Sequence, residues 1–300
     1  MNGKLFVVAT PIGNLSDITK RAVEVLERVN CIAAEDTRET RGLLQKLHID
    51  CDKTFISNNG YNEKTVKDKV VSLLLEGNDV AVVSDAGMPG ISDPGAILVQ
   101  AASQAGIEVT GVCGASAVVT AVAVSGFVKS NSDFAFAGFF PRKKNEIEQK
   151  LSFALGTGIS TFVFYEAPLR ITQTVEIIQS NMPEARLCLC NDLTKLYERI
   201  YRGSPEEVLA ELKNNPNATK GEYALVIDLS AVPVPEKNTV SGKNAETVLV
   251  EYLLENKCTV KEAVTEAAAC SNYSKNQLKA ASFRLKELLA DENREGKKDV

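Results

Sequence analysis

Three short stretches carry residue types suited to binding chemistry at strand ends. Thr10-Pro11-Ile12-Gly13-Asn14 follows an apolar run at 5–9. A Pro/Gly turn there sets backbone groups at the carboxyl edge of a sheet, where open α/β folds take ligands. A tight βα connection explains the same residues equally well. The stretch Val82-Val83-Ser84-Asp85-Ala86-Gly87-Met88-Pro89-Gly90-Ile91-Ser92-Asp93-Pro94-Gly95 opens from a buried run into a loop of glycines, prolines and acids. Such a loop offers carbonyls and carboxylates to a cationic ligand. Within it, Asp93-Pro94-Gly95 also has the order of an N-cap followed by proline at the first helical position. Gly114-Ala115-Ser116-Ala117 begins a helix directly after a strand, so its free amides suit a carboxylate, and Ser116 equally suits a plain cap. No G-x-G-x-x-G follows any predicted strand, which argues against a dinucleotide fingerprint and against the glycine-rich loop of the common methyltransferase fold.

Other chemistry is thinly supplied. The single histidine, His48, ends a helical stretch, so histidine general-base catalysis and a histidine-rich metal site are not expected. Cys31, Cys51, Cys113, Cys188, Cys190, Cys258 and Cys270 form no CxxC pair and no ligand set with histidine, so reduced, mostly buried thiols and no metal are expected. Cys188 and Cys190 share one strand face. The formal charge of −5 excludes a chain that coats nucleic acid through many phosphate contacts and leaves only a local basic patch.

The positioning elements follow from composition and periodicity. With 300 residues, 44% hydrophobic and 24% charged, the chain reads as soluble and globular with two domains or more. The first apolar run is too short for a membrane span and lacks a signal-cleavage region, so a cytoplasmic protein is expected. Strands are predicted over 5–9, 31–34, 54–56, 80–84 and 109–112, with helices over 18–29, 37–47, 63–76, 95–105 and 116–125, the pattern of βα units feeding a mainly parallel sheet. Gly77 and Gly106 fall where helix-ending glycines belong. A second α/β region has strand candidates at 134–137, 161–165, 187–190, 197–201 and 223–229, closely enough spaced at its end for mixed pairing. The expected division is 1–126, 127–232, a linker at 233–243, a helical domain at 244–290 and a charged, disordered tail at 291–300.

These segments in this order, joined by Ala33-Ala34-Glu35-Asp36-Thr37-Arg38 and Phe164-Tyr165-Glu166-Ala167-Pro168-Leu169-Arg170, give the chain a resemblance to the tetrapyrrole methylases over about residues 4–230. The combination of Thr-Pro-Ile-Gly-Asn-Leu, Ala-Glu-Asp-Thr-Arg and Ser-Asp-Ala-Gly resembles the branch that methylates the ribose 2′-oxygen of a cytidine in small-subunit ribosomal RNA. The resemblance implies an α/β, two-domain tetrapyrrole-methylase-like fold with a mainly parallel N-terminal sheet and a mixed C-terminal sheet, a small C-terminal helical domain being added. It further implies a homodimer, with S-adenosylmethionine in the cleft between domains. Carried over by position, Pro11, Ser84, Asp85, Ala86, Gly87, Asp93, Ser116 and Ala117 line the cofactor pocket from one side, and Tyr165, Leu193 and Ala224 close it. The chain departs from the family pattern at Met88 and Ala115, at Asn58-Asn59-Gly60-Tyr61-Asn62-Glu63, and at Asn191-Asp192.

For such a transfer, a ribose hydroxyl needs a proton acceptor. Glu35, Asp36, Glu166 and Lys195 are the candidates, each just beyond a predicted strand end; helix capping for the first two and phosphate contact for Lys195 are the plain alternatives. Arg38, Arg41, Arg142, Lys143, Lys144 and Arg170, with Lys195, could form a basic rim for RNA phosphates, with Tyr61 or Phe140 stacking on an unpaired base. Apolar positions at Val248, Leu249, Tyr252, Leu253, then Val260, Ala263, Val264, Ala267, then Leu278, Ala281, Phe283, Leu285 and Leu288 suit three short amphipathic helices. The turn Cys270-Ser271-Asn272-Tyr273 resembles that of a helix-turn-helix, with Lys275, Asn276, Lys279 and Arg284 toward nucleic acid. Two rivals stand beside this reading. One is a tetrapyrrole-precursor methylase, against which the first loop has one glycine and no acid; the other is a non-catalytic ribosome-assembly or RNA-binding protein.

Overall fold

The computed structural model describes residues 2–129, 132–233, 244–271 and 273–295, with side chains of the last helix described to Lys286. Two compact units are present, Met1–Val232 and Pro233–Val300.

The first unit holds two five-stranded sheets. In the first, β1 (Leu5–Val8), β2 (Cys31–Ala34), β3 (Thr54–Ser57), β4 (Val80–Val83) and β5 (Val109–Val112) run parallel in the order β3-β2-β4-β1-β5. Alternate side chains go to opposite faces. Phe6, Val8, Ile32, Ala34, Ala81 and Val83 meet α1 (Lys20–Arg28) and α2 (Thr37–Lys46), while Leu5, Cys31, Ala33, Val80 and Val82 meet α3 (Glu63–Leu75) and α4 (Ala96–Gln104). Both faces are covered, which is why these strands read as unbroken apolar runs. Gly77 and Gly106 end α3 and α4 with φ of +93° and +70°.

The second sheet has the order β6-β7-β10-β8-β9, from β6 (Phe134–Phe139), β7 (Thr161–Glu166), β8 (Arg186–Asn191), β9 (Arg199–Gly203) and β10 (Tyr223–Asp228). Only β6 and β7 are parallel. One face packs on α6 (Lys144–Leu155), α7 (Ile171–Asn181) and α8 (Pro205–Asn214). The other packs Val163, Cys188, Cys190, Ala224 and Val226 against Val118, Ala121 and Val122 of α5 (Ala117–Ser125).

Several expectations shift. The strand expected at 197–201 begins at Arg199, because Glu198 accepts the Thr194 amide at 2.6 Å and holds Leu196 and Tyr197 in an exposed turn. Only Cys31, Cys188 and Cys190 are buried, whereas Cys113 and Cys270 are exposed, so the thiols are not mostly buried.

In the second unit, α9 (Ala245–Asn256), α10 (Val260–Cys270) and α11 (Lys275–Glu295) bury Val248, Leu249, Ala263, Val264, Ala267, Leu278 and Ala281 together. The third helix, expected to be short and to end by 290, spans 21 residues and runs on to Glu295, where no Gly or Pro interrupts the chain until Gly296. Phe283 is exposed, off the packed face. Arg284 pairs with Glu246 through its Nε at 2.5 Å, so α9 engages this candidate nucleic-acid contact. The linker at 234–243, Asn272 of the turn and the tail from 296 lie outside the described residues.

Candidate functional site

The turn after β1 and the long loop after β4 are tied together at the carboxyl edge of the parallel sheet. Thr10 and Gly87 exchange backbone hydrogen bonds at 2.9 and 3.1 Å, and the Thr10 hydroxyl donates to the Ser84 carbonyl at 3.1 Å. Gly114 brings the start of α5 beside β1, since a Cβ there would lie 2.8 Å from that of Ala9. Ser116 caps α5 by accepting the Val119 amide. On the other side, a Cβ on Gly13 would lie 2.5 Å from Cγ of Lys195, and the Asn14 amide donates to Thr194 Oγ1 at 3.0 Å. The β8–β9 loop that receives this turn holds Asp192 and Thr194 at φ of +52° and +66°.

Between these loops lies a cavity of about 390 Å³, within the size range of small-molecule sites. Ile12, Ala86, Met88, Ile91, Asp93, Ser116 and Ala117 line one side; Phe139, Tyr165, Cys190, Leu193, Glu222 and Ala224 line the other. Seven of the eleven residues expected at a cofactor are therefore on the wall. Pro11, Ser84, Asp85 and Gly87 are not. Ser84 is buried and hydrogen-bonded to the carbonyls of Ala86 and Gly87, Gly87 is bonded to Thr10, and Asp85 accepts the Asp36 amide at 3.1 Å. Ser84, Asp85 and Gly87 thus hold the loop in place. Met88 and Ile91 were reachable from the sequence as neighbours of the acidic loop. Phe139 lay in the stretch Phe139-Phe140-Pro141-Arg142-Lys143-Lys144, the best candidate in the sequence for RNA contact, but its place on the wall depends on strand register, and Glu222 carried no signal.

Asp93 is the wall's most perturbed acid. It does not cap α4: the Glu63 carboxylate accepts the Gly95 amide at 2.6 Å and the Ile97 amide at 3.4 Å. The Asp93 carboxyl accepts no hydrogen bond from any described residue and is pushed up to about 6, by burial first and then by the charges of Glu35 and Asp85. Burial and the Asp93 charge raise the Tyr165 phenol to about 12 although the Val118 amide hydrogen-bonds it, so Tyr165 is neutral at physiological pH.

The four expected proton acceptors are otherwise engaged. Glu35, off the wall, accepts the Asp85 amide at 3.3 Å; burial and the nearby charges of Asp85 and Asp36 raise it despite that bond. Asp36 caps α2 and binds Arg38, whose hydrogen bonds hold it far below the usual carboxylate range. Glu166 lies on the cavity lining but is buried, accepting from Thr174 at 2.6 Å, from the Ala167 amide at 2.7 Å and from Arg170. Lys195 pairs with Asp192 and Glu222, both at 2.9 Å; burial opposes its charge, but those two carboxylates together raise it above its usual value. An ammonium so held is a poor proton acceptor.

The basic residues divide as well. Arg170 turns inward, onto Glu166 and the carbonyls of Pro141 and Phe140 at 3.0 and 3.4 Å. Arg41 lies 3.8 Å over the Phe55 ring, and Arg38 is tied to Asp36 yet exposed. Arg142, Lys143 and Lys144 are exposed; the lysines pair along α6 with Glu146 and Glu148, and Arg142 has no ion pair among the described residues. Phe140 is buried against Phe164 and cannot stack on a base, whereas Tyr61 is fully exposed. In the departing segment at 58–63, Asn59 accepts the Tyr61 amide, Asn62 accepts the Asn59 amide and Glu63 serves α4, so much of its polarity is spent locally. Among the described residues, no cluster of three or more His, Cys, Asp or Glu side chains suits a metal.

A model of the tetrapyrrole (corrin/porphyrin) methylases matches residues 4–209. Ribosomal RNA small subunit methyltransferase I of Halalkalibacterium halodurans is 37% identical over 266 residues, covering 89% of this chain and 90% of that protein. The protein of the same name from a Hydrogenobaculum species is 42% identical over 224 residues, covering 75% of this chain and 95% of that one. Among solved structures, the uroporphyrin-III C-methyl transferase of Thermus thermophilus complexed with S-adenyl homocysteine superposes with a TM-score of 0.50 at 14% identity, covering 75% of this chain and 97% of that one.

Proposed function

The chain belongs to the tetrapyrrole methylase family, and from that membership we propose that it transfers the methyl group of S-adenosylmethionine to small-subunit ribosomal RNA, the acceptor being the ribose 2′-hydroxyl of a cytidine. One observation carries the choice of substrate: relatives named as small-subunit rRNA methyltransferases match most of this chain at 36–42% identity. The first loop agrees, since Thr10-Pro11-Ile12-Gly13-Asn14 lacks the glycine-rich acidic form of the tetrapyrrole-precursor enzymes.

The cavity fits the cofactor's chemistry. Apolar walls from Ile12, Met88, Leu193 and Ala224 suit a nucleoside, the carboxylates of Asp93 and Glu222 suit a cation, and the start of α5 suits a carboxylate. When bound, S-adenosylmethionine supplies a methyl group already activated by its sulfonium. The residues here therefore exclude water, hold the acceptor oxygen in line and take its proton. Asp93 is best suited to the proton: it lies on the wall, is free of protein hydrogen bonds and is ionised above about 6. With S-adenosylmethionine held in the cavity, the Asp93 carboxylate would take the proton of the acceptor hydroxyl. Glu166 and Lys195 hold the surrounding loops.

The family resemblance also implies a homodimer, and a cytoplasmic location, where ribosomal subunits are assembled, is part of the same proposal. No helix among the described residues is long and apolar enough to cross a membrane. Incubating the protein with labelled S-adenosylmethionine and small subunits from a strain lacking the modification tests the proposal, with ribose methylation mapped on the RNA. Label on a porphyrinogen and none on the subunit would reverse the substrate assignment; cofactor binding without any transfer would leave a non-catalytic RNA-binding role.

A further inference from the structure

Two adjacent phenylalanines at the end of β6 are sent to opposite sides of the sheet. Ala135 and Ala137 pack toward α6, α7 and α8, and Phe136 packs toward α5. Strict alternation would put Phe139 with the alanines and Phe140 with Phe136. The pairing of β6 with β7 instead shifts register between Phe136 and Phe139, where Gly138 sits at φ +68°, a conformation open to glycine. The irregularity inverts the alternation, as a β-bulge does when it re-aims a side chain. Phe140 becomes the buried ring, 4.0 Å between centroids from Phe164. Phe139 joins Phe136 edge-on to Tyr165, at 5.4 and 4.9 Å, and lines the cavity while 53% exposed.

A ring fixed at its edge by another aromatic, with its surface open beside a cavity, is rigid and unfilled. The exposed cations Arg142, Lys143 and Lys144 follow three to five residues later, so groups that hold phosphate adjoin it along the chain. Resting on the rRNA methyl transfer proposed above, we propose that Phe139 is the stacking platform for the base of the target nucleoside. An unpaired base drawn out of its strand lays its π-face on the phenyl ring, and its ribose is thereby held toward Asp93. Single-stranded RNA is commonly gripped in this manner, by a face every base shares.

The test compares full-length wild type with Phe139→Ala, Phe139→Leu and Phe139→Trp in steady-state methylation of unmodified small subunits, alongside calorimetric binding of S-adenosylhomocysteine. The platform requires KM for the subunit to rise about 10- to 100-fold in the alanine and leucine variants and to stay within about threefold in the tryptophan variant, with S-adenosylhomocysteine affinity unchanged in all three. A wild-type KM in Phe139→Ala overturns the proposal; so does weakened S-adenosylhomocysteine binding, which would give the ring to the cofactor. If the wild type itself transfers no methyl to subunits, the functional reading has failed separately. Equilibrium binding of a single-stranded oligocytidine then decides the platform: Phe139→Ala must weaken it, and equal affinity refutes it.

Discussion

The Glu63 carboxylate, from the first turn of α3, accepts the Gly95 amide at 2.6 Å and so takes over the start of α4 from Asp93. That exchange frees an acid for the cavity. Glu63→Ala should destabilise the fold by about 1 kcal/mol, the usual cost of a lost cap, and weaken cofactor binding as Asp93 turns back to the helix. Glu63→Gln, which keeps an acceptor oxygen, should retain most of both. Thermal denaturation and calorimetry check the pair.

Asp93 should set the pH dependence of methyl transfer. With its carboxyl pushed up to about 6 in the free protein, the ionised form fades below that pH, so kcat/KM should rise through about pH 6 and then level. Asp93→Asn should lower kcat by roughly 10²- to 10⁴-fold and flatten the profile. Stability should move the other way. The folded protein holds this proton more tightly than the unfolded chain, whose value is near the ordinary 3.8, so stability falls as pH rises from there to about 6. The asparagine variant should accordingly melt higher than wild type at pH 8.

Glu166 and Arg170 should behave as structure. Arg170→Ala leaves a buried carboxylate without its guanidinium and should cost about 3 kcal/mol, read from urea denaturation. In Glu166→Gln, kcat per folded molecule should fall by less than about tenfold, far short of what loss of a general base produces.

Lys143→Glu combined with Lys144→Glu should weaken binding to small-subunit RNA and reduce its salt dependence, leaving S-adenosylhomocysteine affinity intact. Equal loss of both affinities in a calorimetric comparison would remove the separate basic rim.

A chain ending at Val232 should fold and bind S-adenosylhomocysteine like the full protein, because both sheets and the whole cavity wall lie within the first compact unit. Any loss should appear in RNA affinity, measured on the same subunits.

Much of this was legible in the residues. The runs at Leu5–Val8, Cys31–Ala34 and Val80–Val83 announce strands covered on both faces, and Thr10, Ser116 and the acidic loop stand at strand ends because a parallel sheet directs every such turn to one edge. What failed depended on competition between partners distant in the chain. Asp93 had the local order of a cap, but Glu63, 32 residues before Gly95, reaches the Gly95 amide. Arg170 had the sign for phosphate, but Glu166 and two carbonyls outbid solvent for it.

By itself, then, the order of apolar runs, turns and caps determined the α/β architecture and which loops meet at the ligand edge, since periodicity and turn chemistry are local properties. Tertiary structure alone decided which acid faces the cavity and which of Phe139 and Phe140 is exposed. A backbone amide donates to whichever carboxylate arrives, and a one-residue irregularity reverses the face of every side chain after it; neither outcome is written in the spacing of the residues concerned.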